Sequence, residues 1–150
     1  MDAAAERTIL EVLAKQRVMS LATVRPDGWP QATTVGYVSE GLTLYFLCGL
    51  DSQKAQNLAR DDRVSLTIND DPPDIMRITG LSMAGRAQQV EDRAVAARVL
   101  ALLPLKYPDC PPPPIPMPTP DQVRIFRVTP SVVSVLDYSK GFGHTDLVTL

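Results

Sequence analysis

The chain has 150 residues, 45% of them hydrophobic and 21% charged, which suits one globular domain over 1–150, since a chain this size buries roughly 68–70% of its unfolded surface. Fifteen Lys plus Arg stand against 17 Asp plus Glu, for a formal charge of −2 and a sequence pI of about 5.3. That balance excludes a broad positive field for nucleic acid or an anionic membrane, so any anion site must be local.

Residues 3–15 set Ile9, Leu10, Val12 and Leu13 beside Glu6, Arg7, Glu11 and Lys15, the period of a helix with one apolar face. Charges at these positions also interrupt what a secretory signal would keep apolar, so a cytoplasmic location is expected. Residues 17–24 are apolar and β-branched and stop at Arg25-Pro26-Asp27-Gly28, where proline presets a turn and glycine permits positive φ. A strand therefore enters a hairpin. Residues 31–38 alternate, with Ala32, Thr34, Gly36 and Val38 on one face and Thr33, Val35 and Tyr37 on the other. After Ser39-Glu40-Gly41 the pattern resumes over 42–48, which predicts three consecutive antiparallel strands.

The apolar stretch 42–50 falls far short of the ~20 residues of a spanning helix, so no membrane segment is expected. At Asp51-Ser52 the period changes to that of a short helix carrying Ala55, Leu58 and Ala59 on one side. Residues 64–69 read as a fourth strand and 75–90 as a long fifth, in which Gly80 and Gly85 mark bulges or bends. Residues 91–103 are helical, with Val95, Val99 and Leu102 as the buried stripe.

Between Pro104 and Pro120 stand nine prolines in 17 positions, which predicts an extended loop over 104–120: a surface connection, a partner motif or a site cover. Residues 122–128 and 132–137 read as two strands joined across Thr129-Pro130-Ser131. The tail from Tyr138 to Asp146 is glycine-rich and loop-like. The sum is six or seven strands with few helices, an all-β or α+β barrel in which closure hides the sheet edges.

Cys48 and Cys110 read as two thiols in a reducing compartment. With one histidine, His144, and no closely paired cysteines, no metal site is expected. No glycine-rich phosphate loop follows a strand, which argues against a Rossmann nucleotide site.

Chemistry concentrates at Asp51-Ser52-Gln53-Lys54. Open N–H groups at a helix start, with a hydroxyl and an ammonium beside them, make a cradle for an anion such as phosphate. The competing reading is that Ser52 or Asp51 merely caps the helix and Lys54 is a solvated charge. The preceding strands offer Thr33, Thr34, Val35 and Gly36 on one side and Leu47, Cys48 and Gly49 on the other, small or hydroxylated groups against which a flat ring could lie. Trp29 is either a ring-stacking group from a neighbouring subunit or an exposed hairpin anchor.

The run 17–68, RVMSLATVRPDGWPQATTVGYVSEGLTLYFLCGLDSQKAQNLARDDRVSLTI, closely resembles the FMN-binding split barrel of the pyridoxamine 5′-phosphate oxidase-like superfamily, and the resemblance extends more loosely to Asp137. It implies a mainly β, six- to seven-stranded antiparallel split barrel with short flanking helices. It also implies noncovalent FMN, a phosphate held by Ser52 and Lys54, and a ribityl chain and ring lying along Thr33 to Gly36. A homodimer with two flavin sites at its interface is expected on the same ground.

The chain departs from true pyridoxamine phosphate oxidases. Those carry Ser-Arg-Lys where this chain has Ser52-Gln53-Lys54, and Tyr-Thr or a similar pair where it has Leu47-Cys48. Arg17, Arg77, Arg86, Arg124 or a partner's arginine are the candidates to supply the missing cation. The C-terminal block for the substrate phosphate is absent, so vitamin B6 oxidation is not expected. In its place the segment Tyr138 to His144 offers Tyr138 and Phe142 to cover a flavin face and His144 as a candidate proton donor, or else simply packs on the barrel.

The expected function is that of an FMN-dependent oxidoreductase acting on a small molecule. The rival readings are a deazaflavin F420 reductase, a heme-binding split-barrel protein using His144, and a non-enzymatic flavin carrier or sensor.

Overall fold

The computed structural model describes residues 1–109 and 118–150. Helix α1 (Ala3–Lys15) starts where the Asp2 carboxylate accepts the Ala4 N–H, and it buries Ile9 and Leu13 against the sheet. Strands β1 (Val18–Val24) and β2 (Pro30–Gly36) form the expected hairpin, with Arg25 N–H donating to Trp29 O across the turn. β3 (Val38–Glu40) pairs with β4 (Thr43–Gly49), and α2 (Gln53–Arg60) leads into β5 (Arg63–Asn69). A 3-10 turn (Ile75–Arg77), β6 (Thr79–Gln89), α3 (Arg93–Lys106), β7 (Val123–Asp137), a second 3-10 turn (Tyr138–Lys140) and β8 (Thr145–Thr149) complete the chain.

One antiparallel sheet of eight strands runs β2-β1-β5-β6-β7-β4-β3, with β8 also on β7. β7 makes the barrel split. Its first half pairs with β4 and its second half with β8, both on the edge away from β6. The barrel encloses Met19, Leu21, Leu44, Ile68, Met83 and the stacked pair Phe46 and Phe126, whose ring centroids lie 5.3 Å apart. A second cluster, with Val38, Tyr45, Ile125 and Val99, packs α3 on the outer side of β3, β4 and β7.

The structure corrects several sequence expectations. There are eight strands where six or seven were expected, because the run 31–38 breaks at Tyr37 and the tail forms β8. Tyr37 is 1% exposed, and its hydroxyl donates to Leu13 O at 2.8 Å, so the chain turns inward there. The three consecutive strands do not form a meander: β2 pairs with β1 alone, whereas β4 lies between β3 and β7. The stretch 75–90 becomes a strand only from Thr79.

Residues 123–137 make one strand where two were expected, because Thr129-Pro130-Ser131 forms a bulge. The register with β6 shifts at Ala84/Gly85, which accommodates a proline that has no N–H to give. Gly85 belongs there because a Cβ would collide with Thr129 O, while Gly80 stays in register with Asn69 and marks no bulge. Helix α3 runs through Pro104 to Lys106, so the extended loop begins later than expected. Residues 110–117 of that loop, Cys110 among them, lie outside the described residues. Cys48 is a half-buried free thiol. No helix among the described residues is long and apolar enough to cross a membrane, and no group of potential ligands there could hold a metal ion.

Candidate functional site

The start of α2 follows β4 through a tight turn in which Ser52 N–H donates to Gly49 O at 3.2 Å. Ser52 is extended, with φ −64° and ψ 149°, and its Oγ accepts the Ala55 N–H at 3.1 Å. The capping reading of Ser52 therefore describes this chain, and the hydroxyl keeps its own proton to donate. The N–H groups of Gln53 and Lys54 find no acceptor among the described residues, as the first turn of a helix requires. Lys54 is half-buried, one turn ahead of the buried Leu58 on the same face, and has no ion pair or hydrogen bond among the described residues.

A polar cluster that the sequence reading missed sets the angle of α2. Asn57 is 0% exposed and Thr23 2%. Asn57 Nδ2 donates to Thr23 Oγ1 and to Gln31 Oε1, both at 3.0 Å, and Gln53 Nε2 donates to Asn57 Oδ1 at 2.9 Å. The amide thus ties the first turn of α2 to β1 and β2 with every polar atom satisfied. Beside it opens a cleft of about 410 Å³ lined by Arg25, Pro26, Asp27, Gln31 and Gln53. The Asp27 carboxylate pairs with Arg25 at 2.6 Å.

The strand residues expected to line a ring divide between two faces. Thr33 and Val35 are half-buried opposite Leu21 and Met19 on the barrel side, while Thr34 and Gly36 are exposed on the outer side. Leu47 packs in the α3 cluster and Cys48 against the barrel core. Gly36 also has a structural reason for its identity, since a Cβ there would lie 2.9 Å from the Tyr107 hydroxyl. Trp29 is 69% exposed at the hairpin, its N–H bonded to Asp27 Oδ1.

The tail stands elsewhere. Tyr138 and Phe142 pack against each other in a tilted pair at 5.4 Å, and Phe142 is 77% exposed. His144 Nε2 lies 3.2 Å from Asp146 Oδ2. The Ser139 hydroxyl beside Asp137 holds that carboxyl below the usual range. Lys140, Asp137 and Asp146 line a cleft with the first turns of α1.

Of the four candidate arginines, Arg17 lies over the Tyr107 ring, Arg77 pairs with Asp74 and Arg86 with Asp62. Arg124 donates from Nε to Leu50 O at 2.8 Å and from Nη1 to Gln89 at 3.3 Å, on the flank of α2 that carries Ala55 and Ala59.

The family model described as pyridoxamine 5′-phosphate oxidase matches residues 5–136. Among solved structures, a candidate pyridoxamine 5′-phosphate oxidase from Listeria innocua superposes with a TM-score of 0.73 at 23% identity, over 88% of this chain and 98% of that one. A conserved hypothetical protein from Mycobacterium tuberculosis gives 0.71 at 26%, over 97% and 91%. A heme binding protein from Mycobacterium smegmatis gives 0.72 at 23%, over 99% of this chain and 59% of that one. No curated protein matches the sequence.

Proposed function

The chain belongs to the pyridoxamine 5′-phosphate oxidase family, and from that premise we propose that it is an FMN-binding flavoprotein that acts as an oxidoreductase on a small molecule. The observation that carries this reading is Lys54, a half-buried residue without an acidic partner among the described residues, in the first turn of α2 where two N–H groups are open. Such a group calls for an anion, and the helix start favours one there. The donor set fits a flavin phosphate: Ser52 donates its hydroxyl proton, Lys54 its charge, and the backbone two N–H groups. Bound flavin would supply hydride or electron transfer through its ring, and the protein's part is to hold and orient it and to keep water away.

A second copy of the chain would complete the site. The outer face of the sheet presents Ser20, Ala32, Thr34, Ser65, Thr67 and Ser82, small side chains that let another sheet approach closely. The homodimer with two flavin sites is proposed on that face.

Titration of purified protein with FMN, followed by flavin fluorescence, tests the reading. Saturable binding supports it, and its absence overturns it. A Soret band lost in His144→Ala would favour the heme alternative, which the heme binding relative from Mycobacterium smegmatis brings into view. Tight F420 binding with none for FMN would favour the deazaflavin alternative. A bound flavin that neither NADH nor NADPH ever reduces would point to a carrier or sensor.

A further inference from the structure

The cleft beside α2 carries a polarity that the amide of Asn57 imposes. Its two glutamines are held by one buried side chain with one carbonyl and one amino group. Gln31 meets the amino group through its carbonyl, and Gln53 meets the carbonyl through its amino group. The free half of Gln31 is therefore a donor and the free half of Gln53 an acceptor. Turning the Asn57 amide over exchanges these roles without making them equal, so the glutamine pair presents one donating and one accepting half in either arrangement.

Its charge is balanced as well. Arg25 pairs with Asp27 within the same lining, and Arg124 is engaged by Leu50 O and Gln89 on the opposite flank of the helix. A dianion calls for several donors and net positive charge, whereas a donor beside an acceptor on neutral ground matches a hydroxyl, which needs both.

We propose that the cleft formed by Arg25, Asp27, Gln31 and Gln53 is a subsite for an uncharged polyhydroxyl segment, and that the protein consequently accepts flavin with or without its phosphate. This rests on the flavin reading above. About 410 Å³ is room for several hydroxylated carbons. Lys54 adds affinity for the phosphate when it is present, and the glutamine pair asks for none.

Parallel titrations of the full-length protein with riboflavin and with FMN, at one ionic strength, test the proposal. The expected dissociation constants lie within about thirtyfold of each other, because Lys54, the Ser52 hydroxyl and the open N–H groups exchange water for the phosphate and keep only the net difference. A larger preference for FMN, or FMN binding without riboflavin binding, overturns this inference and leaves the flavin reading standing. Binding of neither overturns both. Gln53→Arg keeps an N–H donor for the buried Asn57 Oδ1 and adds a cation to the lining, so it is expected to raise the preference for FMN at least about tenfold. An unchanged ratio in that variant also counts against the proposal.

Discussion

The Tyr107 hydroxyl sits over Gly36 so closely that a Cβ on that glycine would lie 2.9 Å from it. The same hydroxyl accepts the Tyr37 N–H at 3.0 Å and donates to Arg17 O at 2.7 Å, closing the end of β2 against the C-terminus of α3. Gly36→Ala must push Tyr107 aside, and a loss of about 1–3 kcal/mol is expected. In a Tyr107→Phe background the nearest ring atom is 3.6 Å away, so the penalty shrinks. Urea unfolding of the four proteins measures the difference, and an equal penalty in both backgrounds would refute the contact.

Asn57 joins residues 34 and 26 positions away, Thr23 and Gln31. Asn57→Ala leaves both without that partner around a new cavity. A stability loss of about 1–3 kcal/mol is expected, read from the denaturation midpoint.

Lys54→Ala separates binding from folding. With no partner for the ammonium among the described residues, stability is expected to stay within about 0.5 kcal/mol of the parent. FMN affinity should fall tenfold or more, the worth of about 1.5–3 kcal/mol for a charged hydrogen bond, while riboflavin affinity holds. Unchanged FMN binding would remove the basis for an anion at α2.

Tyr37 predicts an alkaline limb. Burial pushes its hydroxyl well above the usual phenol range, with Tyr107 adding to the effect. The unfolded chain loses this proton above about pH 10 while the folded chain keeps it, so the stabilisation is full below that pH and fades as pH rises further. Lys106, whose ammonium lies 4.5 Å from the Tyr37 ring centroid, is held below the usual lysine range by burial and acts in the opposite sense. It is present in both proteins, so the comparison isolates the phenol. Tyr37→Phe should lower stability by about 1 kcal/mol at pH 7 and flatten the decline between pH 9 and 11. Urea midpoints across that range check it, and parallel curves would contradict it.

Residue pattern by itself determined β1, β2, β4 and β5 of the 17–68 run, the turn at Pro26, the short helix after Ser52 and the resemblance to a family, because period, turn chemistry and capping act between near neighbours. It also singled out Ser52 and Lys54 as the chemical focus. Only the tertiary structure decided that β2 and β4 are not paired neighbours, that 129–131 bulges within one strand, and that Thr33 rather than Thr34 is on the barrel side. Asn57 shows why. On its helix it reads as one polar residue between Gln56 and Leu58, and its burial exists only once β1 and β2 arrive from elsewhere in the chain. Gly36 teaches the same lesson, since the side chain that requires it, Tyr107, is bonded to the neighbouring Tyr37 amide from 70 positions further along the chain. Contacts between distant segments obey no local period, so they become visible only when the sheet has curled and brought them together.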